Sequence, residues 1–262
     1  MSVFSNRVYS DYLMPSRLPQ YEALLAQAAA AGYLQTSVRA FFAAARGGAV
    51  QPSPVLVHRH DIDTDVGTAR AMFELEQQYG VHASYYFRQT TLDIGFMREI
   101  EAYGSEASYH YEEIATFAKR RGIRDRTLVP AHMDAIRAEF LANFAVLERR
   151  LGHKMTTVAS HGDFANRRLG RANHELLADA GLREQCGIVC ETYDAALLEL
   201  FDLYISDRPH PQYFFPVAPS AAIGVHRNIC LLTHPRQWRT NWSENTRDNL
   251  YRLYEEIKWR MA

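Results

Sequence analysis

Two aspartates two residues apart, Asp61 and Asp63, follow the apolar run Val55-Leu56-Val57. Such a run reads as a strand, and side chains at i and i+2 of a strand share a face. Two carboxylates held at one spot raise each other's pKa unless a cation or a shared proton lies between them. The pattern points to a metal ion, or to one ligand beside one proton carrier. Its ordinary alternative is a solvated Asp-rich turn. Other strand-like segments also end in chemically capable side chains. Arg88 ends segment 83–88, His110 lies in 107–111, and His161 follows 156–160. Asp207 and Arg208 follow 203–206, and His234 follows 228–233. One carboxylate plus two histidines, with open coordination positions, is the ligand set of a catalytic zinc or iron(II)-type site.

These strands alternate with helical patterns. Residues 21–34 and 38–45 read as helices, the second stopped by Gly47-Gly48. Further helices are expected over 67–79 and 93–103. The clearest spans 134–151, where Ile136, Phe140, Phe144, Leu147 and Leu151 recur at steps of three and four and Gly152 follows. Ser243 is the expected cap of a last amphipathic helix through Leu250, Leu253, Tyr254 and Ile257. Alternation of strands and helices argues for an α/β fold with a mainly parallel sheet, closed or nearly closed into a barrel. In such barrels the carboxyl ends of the strands form the face that carries the active site. The chain reads as one domain, 1–262, with a helical N-terminal extension over 1–50 and a catalytic barrel over 51–262.

Composition excludes several classes. With 262 residues, 47% of them hydrophobic, and a net charge of -1, nothing suggests a nucleic-acid partner. No stretch approaches the ~20 apolar residues of an integral membrane segment. The first seventeen residues lack the apolar core of a signal peptide. Cys186, Cys190 and Cys230, an odd number, read as reduced core thiols rather than a disulfide framework. A soluble, cytoplasmic protein is the expectation. G-x-S-x-G, G-x-G-x-x-G and G-x-x-x-x-G-K-[ST] are all missing, so serine-hydrolase, dinucleotide and P-loop readings have no support.

From Val55 onward the chain resembles the polysaccharide deacetylases with a NodB-type homology domain (carbohydrate esterase family 4). It is most similar to the divergent branch encoded with bacterial O-antigen genes. The resemblance rests on Arg59-His60-Asp61-Ile62-Asp63, on Glu106-Ala107-Ser108-Tyr109-His110-Tyr111-Glu112, on Ser160-His161-Gly162, and on Leu232-Thr233-His234-Pro235-Arg236-Gln237-Trp238. It implies a distorted (β/α)7 barrel and a hydrolase that removes acetyl groups from acetamido sugars with one divalent metal ion. Zinc is the first choice of ion, with Fe2+, Co2+, Mn2+ and Ni2+ as alternatives. By the same resemblance Asp61 is the general base, Asp63 and His110 are metal ligands, and His234 is the general acid. A nucleotide- or lipid-linked sugar, the precursor of a surface polysaccharide, is the expected substrate. A non-sugar amide, or binding without turnover, is the competing reading.

Departures from the family pattern shape the rest. Ile62 separates aspartates that are usually adjacent, which leaves the roles of Asp61 and Asp63 interchangeable. Ile114 stands where a second histidine of the motif is expected, so His161 is assigned as third ligand, with Glu112 and Glu113 competing. Arg88 is assigned to the missing arginine motif, paired with the base aspartate. Tyr111, Trp238 and Arg208 are assigned to substrate binding, and Tyr213-Phe214-Phe215 offers further stacking faces; ordinary packing is the alternative for each aromatic. His58 and His60 have the opposite strand parity and are expected to pack or to support the site.

Overall fold

Nine short runs of apolar and aromatic residues form strands in the computed structural model, which describes residues 3–48 and 52–261. They are β1 (Leu34–Thr36), β2 (Val55–Ile62), β3 (Ser84–Phe87), β4 (Glu106–Tyr111) and β5 (Thr157–Ser160), then β6 (Cys190–Glu191), β7 (Leu203–Asp207), β8 (Phe214–Phe215) and β9 (Asn228–Thr233). Eight follow one another in the order β6-β5-β4-β3-β2-β9-β7-β8, every pair parallel except β7 with β8. The sheet curls into a half-barrel. No pairing among the described residues joins β6 to β8, so a closed ring of strands is not formed. β1 pairs with the start of β2, on the side that β3 takes over farther along. The first fifty residues therefore add a strand to the sheet as well as helices. The expected junction at residues 50 and 51 lies outside the described residues.

Both faces of this sheet are covered, which is why all eight residues of β2 are buried. On the inner face Val55 and Val57 pack with Tyr86, Ala159 and Cys190. Helix Val38–Arg46, capped by the Ser37 side chain, adds Val38, Phe41 and Phe42 to that cluster. On the outer face Leu56 meets Tyr21, Leu24 and Leu25 of helix Leu18–Ala30. Ile62 meets Phe73, Phe96 and Met97. Helix Met133–Leu151 buries the five apolar residues its spacing marks out, each contributing roughly 1.5–3 kcal/mol. Gly152, at φ 83°, takes the left-handed conformation that ends it. All three cysteines are buried and unpaired.

Parallel register carries the chemistry to one end. Asp61 lies beside Tyr86, His60 beside Thr233, and His110 beside Ala159, so the carboxyl ends of β2, β3, β9, β4 and β5 open at one rim.

Candidate active site

β2 delivers two carboxylates to this rim in different surroundings. Asp61 shares inner-face parity with Arg59, and the two are joined by a fork of hydrogen bonds, Nε to Oδ1 at 2.9 Å and Nη2 to Oδ2 at 2.7 Å. Burial works against ionisation of Asp61, but Arg59 outweighs it and lowers the pKa. Asp61 is thus a carboxylate at neutral pH, ready to accept a proton but not to give one. Asp63, one residue beyond the strand, reaches out where its side chain is 22% exposed. Its backbone is pinned: Arg88 Nη1 donates to the Asp63 carbonyl at 3.4 Å, and Thr91 Oγ1 to that of Ile62 at 2.7 Å.

Two imidazoles converge on Asp63. His110 Nε2 lies 3.2 Å from Asp63 Oδ1 and 3.5 Å from Asp61 Oδ2; His161 Nε2 lies 3.4 Å from Asp63 Oδ1. Each ring is oriented from behind. His110 Nδ1 donates to the Ala159 carbonyl at 3.0 Å. His161 Nδ1 donates to Glu112 Oε2 at 3.1 Å, and the Glu112 carboxylate is itself gripped by Arg88 through three bonds. A histidine whose Nδ1–H is spoken for presents its Nε2 lone pair as a ligand. Asp63 Oδ1, although buried, accepts no hydrogen bond.

Charge balance explains what this cluster lacks. Asp61, Asp63 and Glu112 face two guanidinium groups, Arg59 and Arg88, leaving one negative charge unmatched before the imidazoles are considered. Burial disfavours a charged His161, yet Asp63 and Glu112 push its pKa to about 9, over the opposing effect of Arg88. A proton on His161 supplies the balancing positive charge at neutral pH. Asp63, His110 and His161 bring one oxygen and two nitrogens together, donor types that a divalent ion accepts, with Oδ1 free of any other hydrogen bond.

Among the described residues, two different buried groups bring three ligand atoms close enough together to hold one ion: His58, His60 and Glu76; and Glu112, His161 and Asp163. The first lies behind the sheet. His60 Nε2 is 2.7 Å from Glu76 Oε1, Tyr85 donates to Glu76 Oε2 at 2.6 Å, and His58 Nε2 meets Gln35 Oε1 at 2.9 Å. The second already holds two cations, Arg88 on Glu112 and Lys119 on Asp163.

His234 completes the rim from β9. Its Nδ1 lies 2.6 Å from Asp207 Oδ1, and its backbone N–H donates to Asp207 Oδ2 at 2.7 Å. Trp238 Nε1 donates to the same oxygen at 3.1 Å. Burial lowers the pKa of His234, but Asp207 more than reverses this, and the result is about 9. At neutral pH His234 carries a proton it can give up.

Asp61, Asp63, His110, His161, His234 and Arg208 line one cleft of about 450 Å³. A second cavity of about 490 Å³ shares Ser160, His161, Gly162 and Tyr193 with it. Scanned against protein-family models the chain matches none, and the search of curated proteins finds no match either.

Three expectations need correction. Arg88 does not pair with Asp61; Arg59, two residues away on the same strand face, takes that place, and Arg88 braces Glu112 and Asp63. Tyr111 points outward, fully buried against Phe140 at 5.3 Å between ring centres. Odd-numbered residues of β4 face the helices while His110 faces in. Trp238 is 1% exposed and packs on Tyr21, so it supports Asp207 and presents no face to a substrate. Arg208, by contrast, does border the cleft, 5.7 Å above the ring of Phe215. Tyr193, Tyr204 and Phe215 supply the aromatic wall instead. Of the competing ligands, Glu112 serves His161 from behind. Glu113 turns outward, where Tyr109 donates to it at 2.6 Å.

Proposed function

We propose that this protein is a metal-dependent N-deacetylase acting on an acetamido sugar, in a distorted (β/α)7 barrel left open between β6 and β8. The observation that carries the reading is the meeting of Asp63 Oδ1 with the Nε2 atoms of His110 and His161, in a cleft that also holds ionised Asp61 and protonated His234. The four motifs that resemble the polysaccharide deacetylases supply the same residues and add the substrate class. A nucleotide- or lipid-linked precursor sugar is the substrate proposed, with Arg208 and Phe215 at the cleft wall.

Asp63, His110 and His161 would hold the ion. When bound it supplies Lewis acidity, polarising the amide carbonyl and making water easier to deprotonate. Asp61 accepts the proton of the water whose oxygen bonds to the acyl carbon, and Arg59 keeps that carboxylate ionised and aimed. His234 donates its proton to the amide nitrogen as the C–N bond breaks, so acetate and a free amine leave. Asp207 holds the His234 ring by Nδ1, which leaves Nε2 as the proton-delivering atom.

Metal analysis of the purified protein, combined with acetate release from free, nucleotide-linked and lipid-linked acetamido sugars, tests the reading. Stoichiometric metal with acetate release is the expected result. Metal without hydrolysis of any of them would leave a binding protein, and no metal at all would remove the mechanism.

A further inference from the structure

Helix Trp242–Met261 is mounted the wrong way round for a core helix. Its apolar residues Leu250, Leu253, Tyr254, Ile257 and Met261 follow helical spacing, with Trp242 two turns earlier on the same side. These six are between 48% and 82% exposed, whereas the helix buries only Asn245 and Trp259. Polar contacts hold it down instead. Asp248 meets Arg236 at 2.5 Å, Glu255 meets Lys119 at 2.9 Å, and Asn245 donates to the Asp11 carbonyl at 2.7 Å. Tyr12 and Leu13 extend the apolar surface beside Thr246.

Charge is sorted across the same helix. The acidic side chains of Glu244, Asp248, Glu255 and Glu256 are 9% to 33% exposed and are all engaged in ion pairs. The basic ones reach farther out: Arg247, Arg252 and Arg260 are 74%, 44% and 61% exposed although each pairs with an acidic neighbour on the helix (Glu244, Asp248 and Glu256), and Lys258 is exposed too. At about 100° per residue, Arg260 borders one edge of the apolar stripe and Arg247 with Lys258 the other. A second copy of the chain docked here would set basic edge against basic edge. An anionic lipid surface would meet the outward basic groups at both edges while taking up the apolar stripe.

We propose that this helix lies in the headgroup layer of an anionic membrane and docks the protein there as a peripheral protein. An exposed helix with a wide apolar face, Trp and Tyr among it, and basic flanks has the make-up of an interfacial helix. No helix among the described residues is long and apolar enough to cross a membrane, so the helix lies flat. Leu253 borders a cavity of about 280 Å³ that also reaches His161 and Arg88, so the surface adjoins the site, but lipid binding is read without reference to the reaction assigned there.

Flotation of the full-length protein with phosphatidylcholine vesicles, with and without phosphatidylglycerol, tests the assignment. Binding should require the anionic lipid and weaken as salt rises. Lys258→Glu and Arg260→Glu should each weaken it by at least about fivefold, the weight of one basic residue near a charged surface. Leu253→Glu with Ile257→Glu should abolish it, without loss of helical circular dichroism, since both side chains are already in solvent. No association of the wild type with anionic vesicles would overturn the proposal. So would a dimer seen by light scattering that the Leu253→Glu, Ile257→Glu protein loses, for then a second copy covers the stripe.

Discussion

Asp207→Asn is the most incisive single perturbation of the site. Asp207 Oδ2 receives two donors, the His234 backbone N–H at 2.7 Å and Trp238 Nε1 at 3.1 Å, while Oδ1 faces His234 Nδ1 at 2.6 Å. An asparagine in this buried slot keeps its oxygen toward the two donors, and its amide must then point at Nδ1. The imidazole loses its counter-charge and is pressed into the tautomer with Nδ1 as acceptor. His234, held at about 9 chiefly by Asp207, should fall toward its ordinary value of 6.5, because burial is then opposed only by the Asp63 and Asp61 carboxylates. That is a shift of up to about 2.5 units, or roughly 3 kcal/mol in favour of the neutral ring. At pH 8 the protonated fraction drops from about nine-tenths to as little as about one-thirtieth, so kcat/KM should fall by up to about thirtyfold. The alkaline limb of the pH–rate profile should move from near 9 toward 6.5. Proton NMR of the His234 ring reads the same shift without any substrate. A variant whose His234 still titrates near 9 would refute the dyad, and with it the assignment of His234 as acid.

Asp61→Asn should keep its metal yet lose turnover by about 10²–10⁴, with loss of the acidic limb; loss of metal here and retention in Asp63→Asn would exchange their roles. His110→Ala and His161→Ala should each reduce metal occupancy measured by elemental analysis, and full stoichiometry in either variant removes that residue from the ligand set. Glu113, fully buried, is pushed up to about 7 by that burial, against the bonds from Asn143 and Tyr109. Its unfolded-state pKa is the lower one, so the unfolded chain releases this proton first and folding stability should decline as pH rises from about 4.5 to about 7. The total is of order 3 kcal/mol. Denaturant titrations of wild type and Glu113→Gln should diverge only in that window, and parallel curves would contradict the shift.

How much of this was legible before the fold? The strand ends were, because period-2 runs and the residues after them are local signals. Asp61, Asp63, His110, His161 and His234, scattered over more than 170 positions, meet in one cleft as their positions at strand ends suggested. Partnerships were harder. Arg59 was readable in principle, since i and i+2 share a strand face, but Arg88 stood at a strand end and drew the assignment. Asp207 sat in plain view at the end of β7, and only the β7–β9 pairing shows that it serves His234. Tyr111 and Trp238 were misjudged because an aromatic beside a motif residue has no local mark of which face it takes. The last helix shows the same gap from the other side. Spacing predicted amphipathicity correctly, but could not reveal that the polar face is the one docked, capped by Asn241, which accepts from Glu244 N at 3.4 Å, and not by Ser243. The pairing of β1 with β2 escaped because a three-residue strand has no period to detect.

The cleft draws its two sides from different kinds of chain. Asp61, Asp63, His110, His161 and His234 stand on or directly after strands locked into the sheet, whereas Arg208 and Phe215 belong to the excursion between β7 and β9, and Tyr193 follows the two-residue β6 at the sheet's margin. Selection can therefore rewrite the second set cheaply. Replacing Arg208 and Phe215 would reshape the cleft wall while the carboxylates and imidazoles stay fixed on the sheet, and Phe214, which pairs with Asp207 and packs on Trp238, is the part of that excursion with least freedom to vary.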